Sequence, residues 1–269
     1  MPVSKKIEEA IKTFSFIETM ARVYQEVAKT RMNQIRESVL KNREFIDELL
    51  KVYRIVKSEC TQKSKEAKKE RVFVFLSSNE RFYGSLILDI WKELEKYLEK
   101  ERGDLVIVGK MGKYLAEKSK FKENFYYFDL DDEKPELEKL KEIVDFLKNY
   151  EEILVFHGKF HTVLTQKVTI TKIGGMEIEA ERLKKHYLFE PSPEEVSRFF
   201  EEELLFSFFN QVIWDHQLSR YATRMVSMYQ AEENAKKLRR EMEKEKERLK
   251  REIQNKKQIE MFSGYKLWS

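Results

Sequence analysis

The chain has 269 residues, enough for one large domain or two modest ones. Hydrophobic residues make up 41% and charged residues 37%, a balance that supplies a core but favours long helices with wide solvated faces. Lys and Arg outnumber Asp and Glu by 52 to 48, a net charge of +4, which lacks the basic excess of a strong polyanion binder. The single cysteine, Cys60, excludes an intrachain disulfide and fits a reducing compartment. No apolar run approaches the roughly 20 residues of a membrane span, and Met1 to Ala10 has no apolar segment of signal type. A soluble chain that meets a membrane only through a partner is expected.

Glycine and proline divide the sequence. None occurs between Pro2 and Gly84, and none between Pro193 and Gly264, so both ends are free to form long helices. In the first segment Ile7, Ala10, Ile11, Phe14, Ile17, Met20, Tyr24, Val27, Ile35, Val39, Ile46, Leu49, Tyr53 and Val56 recur at three- and four-residue steps. They form one face of a helix from about Ser4 to Val56, roughly 80 Å long at the usual rise per residue. A Lys/Glu-rich linker, Thr61 to Glu70, follows.

The middle alternates strand and helix patterns. Strands are predicted over Arg71 to Leu76, Asp104 to Val108, Asn124 to Phe128 and Glu152 to Phe156, and an edge strand over Gln166 to Ile173. Helices are predicted over Ser85 to Leu98, Met111 to Lys118 and Pro135 to Lys148. Such alternation implies a mainly parallel α/β sheet. Ser192-Pro193-Glu194-Glu195 then reads as an N-cap, a proline at the first helical position and acids in the first turn. Beyond Met228 the apolar face thins to Ala231, Ala235, Leu238, Met242, Leu249 and Ile253, a narrow coiled-coil seam. The predicted fold is a long antiparallel coiled coil of N- and C-terminal helices flanking a Rossmann-like α/β domain. The expected division is 1–60 first helix, 61–70 linker, 71–186 α/β domain and 187–269 last helix.

Several stretches resemble the gamma subunit of F-type ATP synthases. Ser219-Arg-Tyr-Ala-Thr-Arg-Met-Val-Ser-Met-Tyr-Gln-Ala-Glu-Glu-Asn-Ala235 is similar to the family run Ser-Glu-His-Ala-Ala-Arg-Met-Val-Ala-Met-Asp-Asn-Ala-Thr-Asp-Asn-Ala, in register and without gaps. Tyr187-Leu-Phe-Glu-Pro-Ser-Pro193 resembles its Tyr-Leu-Tyr-Glu-Pro-Asp-Pro lead into the last helix, and Asp104 to Gly112 resembles its strand with an Ile-Gly-Ser-Lys-Gly turn. Gly158-Lys-Phe160 resembles its Asn-Lys-Phe segment, and Met20 to Met32 is a weaker match near the N-terminus. Two stretches depart. The family's glycine-rich Ser-Asp-Arg-Gly-Leu-Cys-Gly-Gly-Leu turn stands here as Ser78-Asn-Glu-Arg-Phe-Tyr-Gly-Ser-Leu86. Of the C-terminal tip, Glu260 and Gly264 match, whereas Lys257 replaces an acid.

The resemblance implies a non-catalytic, cofactor-free central shaft. It would turn inside a ring of alpha and beta subunits, resting on an epsilon subunit and a c-ring. It would lie peripherally at the cytoplasmic face of the cell membrane and bind no nucleic acid. It further implies rotor–stator contacts at Arg31, Arg224, Met225, Met228, Lys250, Arg251, Asn255 and Glu260. For Arg224 the residues leave open a pairing within the coil or with an acidic loop of a partner. Other readings are a repurposed rotary ATPase shaft, a coiled-coil adaptor, a nucleic-acid binder and an α/β enzyme. The enzyme reading would use Gly109-Lys-Met-Gly112, which lacks full dinucleotide or P-loop spacing and reads as a tight strand-to-helix turn. His157 and His161 lie four apart without a completing Cys pair or Glu, so structural histidines are expected. Met225 and Met228 with Tyr221 and Tyr229 read as coil core and bearing surface.

Overall fold

The computed structural model describes residues 2–60, 69–121, 124–174 and 187–265. Its elements in chain order are α1 (Pro2–Glu59), β1 (Lys69–Leu76), α2 (Leu86–Leu98), β2 (Asp104–Val108) and α3 (Lys110–Glu117). There follow β3 (Tyr126–Phe128), α4 (Leu137–Leu147), β4 (Tyr150–Phe160), β5 (Gln166–Lys172) and α5 (Pro193–Tyr265). The chain divides into two compact units, Met1–Ala28 with Met225–Ser269, and Lys29–Arg224.

The larger unit is built on a five-stranded sheet of order β3-β2-β1-β4-β5. The first four strands are parallel and β5 runs antiparallel to β4. Alternation along β1 divides the core. Val72, Val74 and Leu76 face α4 and the Phe209–Val212–Ile213 stretch of α5, while Phe73 and Phe75 face α2 and α3. Helices on both faces explain why the central strands are apolar almost without interruption. β4 extends well past the expected Phe156 because its second half pairs with β5, from His157 with Thr169 to Phe160 with Gln166. β1 begins earlier than expected, at Lys69, whose amide donates to the Asn149 carbonyl (2.8 Å) and whose ammonium reaches Asp104 (2.9 Å). The remainder of the expected linker, 61–68, lies outside the described residues, as does 175–186.

Within this unit α1 and α5 run antiparallel. Asn42 donates to Gln211 (2.9 Å) and Arg43 pairs with Asp215 (3.1 Å), whereas Tyr53, ten residues further along α1, donates to Glu201 (2.8 Å), nearer the start of α5. The start of α5 is capped as its sequence prescribes, with the Glu195 amide donating to the Ser192 hydroxyl (3.2 Å).

The smaller unit is an antiparallel helix pair. Glu8 pairs with Lys246 (2.8 Å), Glu18 with Arg239 (3.0 Å) and Arg22 with Glu232 (3.0 Å). Its seam on α1 runs through Ile7, Ile11, Phe14, Glu18, Ala21, Gln25 and Ala28, alternating steps of four and three. This corrects the expected face, because Ile17, Met20 and Val27 are exposed. Ala21 and Ala28 are fully covered; small side chains let the helices approach closely, which leaves the larger neighbouring residues outside the narrow contact. On α5 Ala231, Ala235, Met242 and Leu249 are covered or half-covered as expected, whereas Leu238 and Ile253 are exposed.

The β2–α3 turn requires glycine. Gly109 has φ +102° and ψ 149°, a region open essentially to glycine alone, and an added Cβ would lie 3.0 Å from the Ser78 amide nitrogen. Gly109→Ala is expected to lower stability by about 1–3 kcal/mol, measured as a shift of the denaturant midpoint at unchanged slope.

Candidate functional site

Between Ile213 and Met225, α5 changes character. Alongside buried Leu218, Tyr221 and Ala222 it now also buries His216, Gln217, Arg220 and Arg224, spaced so that one helical stripe carries all four. Between them they reach three segments of the α/β domain. His216 Nδ1 accepts the Gly158 amide proton from β4 (3.0 Å), and its Nε2–H donates to the Ser77 carbonyl after β1 (3.1 Å). Gln217 donates to the Asp132 carbonyl after β3 (3.1 Å).

Arg220 forms a buried ion pair with Asp132, both side chains about 5% exposed. Asp132 is held from the other side as well, since its second oxygen accepts the Asn79 and Glu80 amides (2.9 and 2.7 Å). Burial, the largest single influence, works against the Arg220 charge, but the Asp132 carboxylate together with Tyr83 and Tyr221 raises the guanidinium pKa. Arg224, one turn on, donates to Glu80 (2.6 Å) and the Arg81 carbonyl (3.0 Å). Its guanidinium carbon lies 4.1 Å from the Tyr83 ring centroid, a cation–π contact.

His157 and His216 are neutral and structural. Burial pushes the His157 pKa down to about 4 and that of His216 well below its usual value. In His157 the Nδ1–H donates to the Gly158 carbonyl (3.1 Å), and Nε2 accepts from the Thr171 hydroxyl (2.8 Å). His161 is exposed, so the pair does not converge. The Gly109 turn is closed to an anion, because the Lys110 amide donates to Asn79 (2.8 Å) and the Met111 amide to the Ser78 carbonyl (2.8 Å). The cavity beside it, lined by Ser77, Gly109, Asp132 and Arg220 among others, measures about 20 Å³ and has room for one water molecule.

The residues expected to touch a partner fall into two groups. Arg224 is engaged as described, with only 3% of its side chain exposed, and Arg31 pairs with Glu133 (2.5 Å). Both are held by carboxylates of the chain's own loops; Arg224 is buried, whereas the Arg31 side chain remains 31% exposed. Met225 and Met228 are half-covered, and Lys250, Arg251, Asn255 and Glu260 are exposed. Sequence reasoning missed Asp132, Glu80, Tyr83, His216 and Arg220. The signal available was a polar residue at every fourth position, His216, Arg220 and Arg224, inside a run otherwise rich in apolar side chains.

The model of the ATP synthase family matches residues 4–264. The chain belongs to the ATP synthase family. Among curated members, it is 25% identical over 254 residues to an ATP synthase gamma chain of Fusobacterium nucleatum, covering 87% of this chain and 88% of that one. It is 23% identical to the gamma chain of Roseiflexus castenholzii, covering 90% of each. In fold it matches a chain of the Euglena gracilis mitochondrial ATP synthase rotor, with a TM-score of 0.65 at 15% identity, covering 93% of this chain and 99% of that one. A central stalk and c-ring structure of the Tetrahymena thermophila mitochondrial ATP synthase matches with a TM-score of 0.60 at 16% identity, covering 79% and 99%. The family match runs through both long helices and the sheet between them. Among the described residues no helix is long and apolar enough to cross a membrane.

Breaking the buried pair should be costly and breaking the half-exposed one mild. Asp132→Asn is expected to lose about 3–5 kcal/mol, because it leaves Arg220 charged and uncompensated. Glu80→Gln should lose about 1 kcal/mol or less; paired denaturation curves measure both. The two neutral histidines also make stability depend on pH. Unfolded histidines take up protons below about pH 6.5, whereas the folded ones resist. Their contribution is therefore complete above that pH and lost as pH falls, by up to about 1.4 kcal/mol per pH unit for each histidine. Stability curves between pH 7.5 and about 4.5 should accordingly be shallower for His157→Asn than for the unsubstituted chain.

Proposed function

We propose that this chain is the central-stalk gamma subunit of an F-type ATP synthase. It carries torque between a membrane c-ring and a catalytic ring of alpha and beta subunits. The observation that carries this reading is the continuous family match across helix, α/β domain and helix, together with the antiparallel pairing of the two end helices. A shaft needs stiffness, and uninterrupted helices bound by a narrow seam supply it. It must also turn without sticking, which suits the charged exterior of α5 beyond Met228.

In this reading the helix pair, 1–60 with 187–269, is the shaft, and 71–186 is the domain near the base, against epsilon and the c-ring. The chain is non-catalytic and cofactor-free, with ATP chemistry on its partners; the occupied amides of the Gly109 turn favour that assignment. Met225, Met228, Lys250, Arg251, Asn255 and Glu260 are the rotor–stator contacts. Arg31, partly exposed beside Glu133, is a further such contact, and buried Arg224 takes the within-chain pairing that its sequence left open. The complex lies at the cytoplasmic face of the cell membrane, and this subunit attaches peripherally. A repurposed rotary ATPase is favoured by one feature, the tip. There Ile259, Met261 and Phe262 are exposed where the chain departs from the family pattern.

A tag on this chain, in native membranes, should recover alpha-like and beta-like subunits with ATPase activity. The accompanying membrane subunits would separate a synthase from a repurposed motor. Recovery of the chain alone, or with nucleic acid, under conditions that keep rotary complexes intact would contradict the rotor role.

A further inference from the structure

A rotor must turn its α/β domain and its long helix as one body. Apolar packing resists pulling the two apart, but it is non-directional and resists sliding weakly. Phe209, Val212 and Ile213 provide that kind of contact between α5 and the sheet. Directional resistance has to come from hydrogen bonds and ion pairs, which weaken steeply when bent or stretched.

We propose that the stripe His216, Gln217, Arg220 and Arg224 is the joint through which torque passes between α5 and the α/β domain, an inference that rests on the rotor reading. The stripe fastens to three separate places: the segment after β1 (Ser77 to Arg81), Asp132 after β3, and Gly158 in β4. Because the anchors lie in three different segments, rotation of α5 about its axis must change the geometry of these bonds. The anchors are also braced against each other, because Asp132 holds the Asn79 and Glu80 amides while it holds Arg220. Burial keeps water from replacing the strained bonds, since an unpaired polar group inside a protein is expensive. Asp132 and Arg220 are therefore positioning residues for torque transfer and Glu80 with Arg224 is a second, softer fastening.

The test is the angular spread of the rotor in the intact complex. The catalytic ring is immobilised, and a probe is attached to the α/β domain at Lys120→Cys, an exposed site, in a Cys60→Ser background. Angular distributions are recorded during the pauses between ATP-driven steps. Asp132→Asn and Glu80→Gln are each expected to broaden the distribution, Asp132→Asn more. Ile143→Val, which loosens the buried core under α4 without touching the joint, should leave the width unchanged. Should Asp132→Asn fail to assemble, Glu80→Gln carries the test, because its side chain is 46% exposed and its loss is expected to cost little. Unchanged widths in a rotating complex would overturn the joint while leaving the rotor reading intact, as would equal broadening by Ile143→Val. A complex of the unsubstituted chain that hydrolyses ATP without turning the probe would overturn the rotor reading, and the joint with it.

Discussion

A guanidinium buried in protein has to be met by a carboxylate, and the meeting of Arg220 with Asp132 organises the centre of this molecule. The pair brings the C-terminal end of the sheet against α5. It fixes the segment after β1 through the Asn79 and Glu80 amides, and thereby sets Glu80 where Arg224 can reach it. His216 completes the arrangement by bridging β4 and the end of β1, a role open only to a neutral ring with one donor and one acceptor. Buried ion pairs are poor sources of net stability. Their value is that they admit one arrangement and penalise its neighbours, which is the property a mechanical connection needs.

Most of the fold was legible before the structure, for identifiable reasons. The α/β alternation survived because each strand is a short apolar run between turn residues, and β2 occupies the expected residues from Asp104 to Val108. The start of α5 followed from Ser192 and Pro193. The coil seam was harder. Apolar residues crowd α1 on more than one face, so periodicity alone included Ile17, Met20 and Val27, which the structure leaves exposed. Small residues, Ala21 and Ala28, mark the true contact, and a hydrophobicity pattern underweights them. The buried joint was the least legible part. Arg224 stood out, but its partner Glu80 lies 144 positions away in a loop where the glycine-rich family pattern is lost.

That loop departs from the family pattern and also feeds the joint. In the resemblance the family's glycines fall on Arg81, Gly84 and Ser85, so two of the three are lost here, and Glu80, Phe82 and Tyr83 stand beside them. Phe82 adopts a positive φ of 71°, a conformation glycine takes freely and a bulky side chain takes at a cost. Tyr83, buried beneath the two arginines, offers its ring face to both. Glu80 and Tyr83 thus supply a carboxylate and a cation–π platform to the same joint.

The rotor assignment is tested most directly by imaging the assembled complex by electron cryomicroscopy and sorting particles by the orientation of this chain. The assignment predicts the α1–α5 pair on the axis of the catalytic ring, in several discrete orientations relative to it, with the Arg220–Asp132 contact preserved in each. A chain at the periphery of the ring, or in one fixed orientation in every particle during ATP turnover, would contradict it.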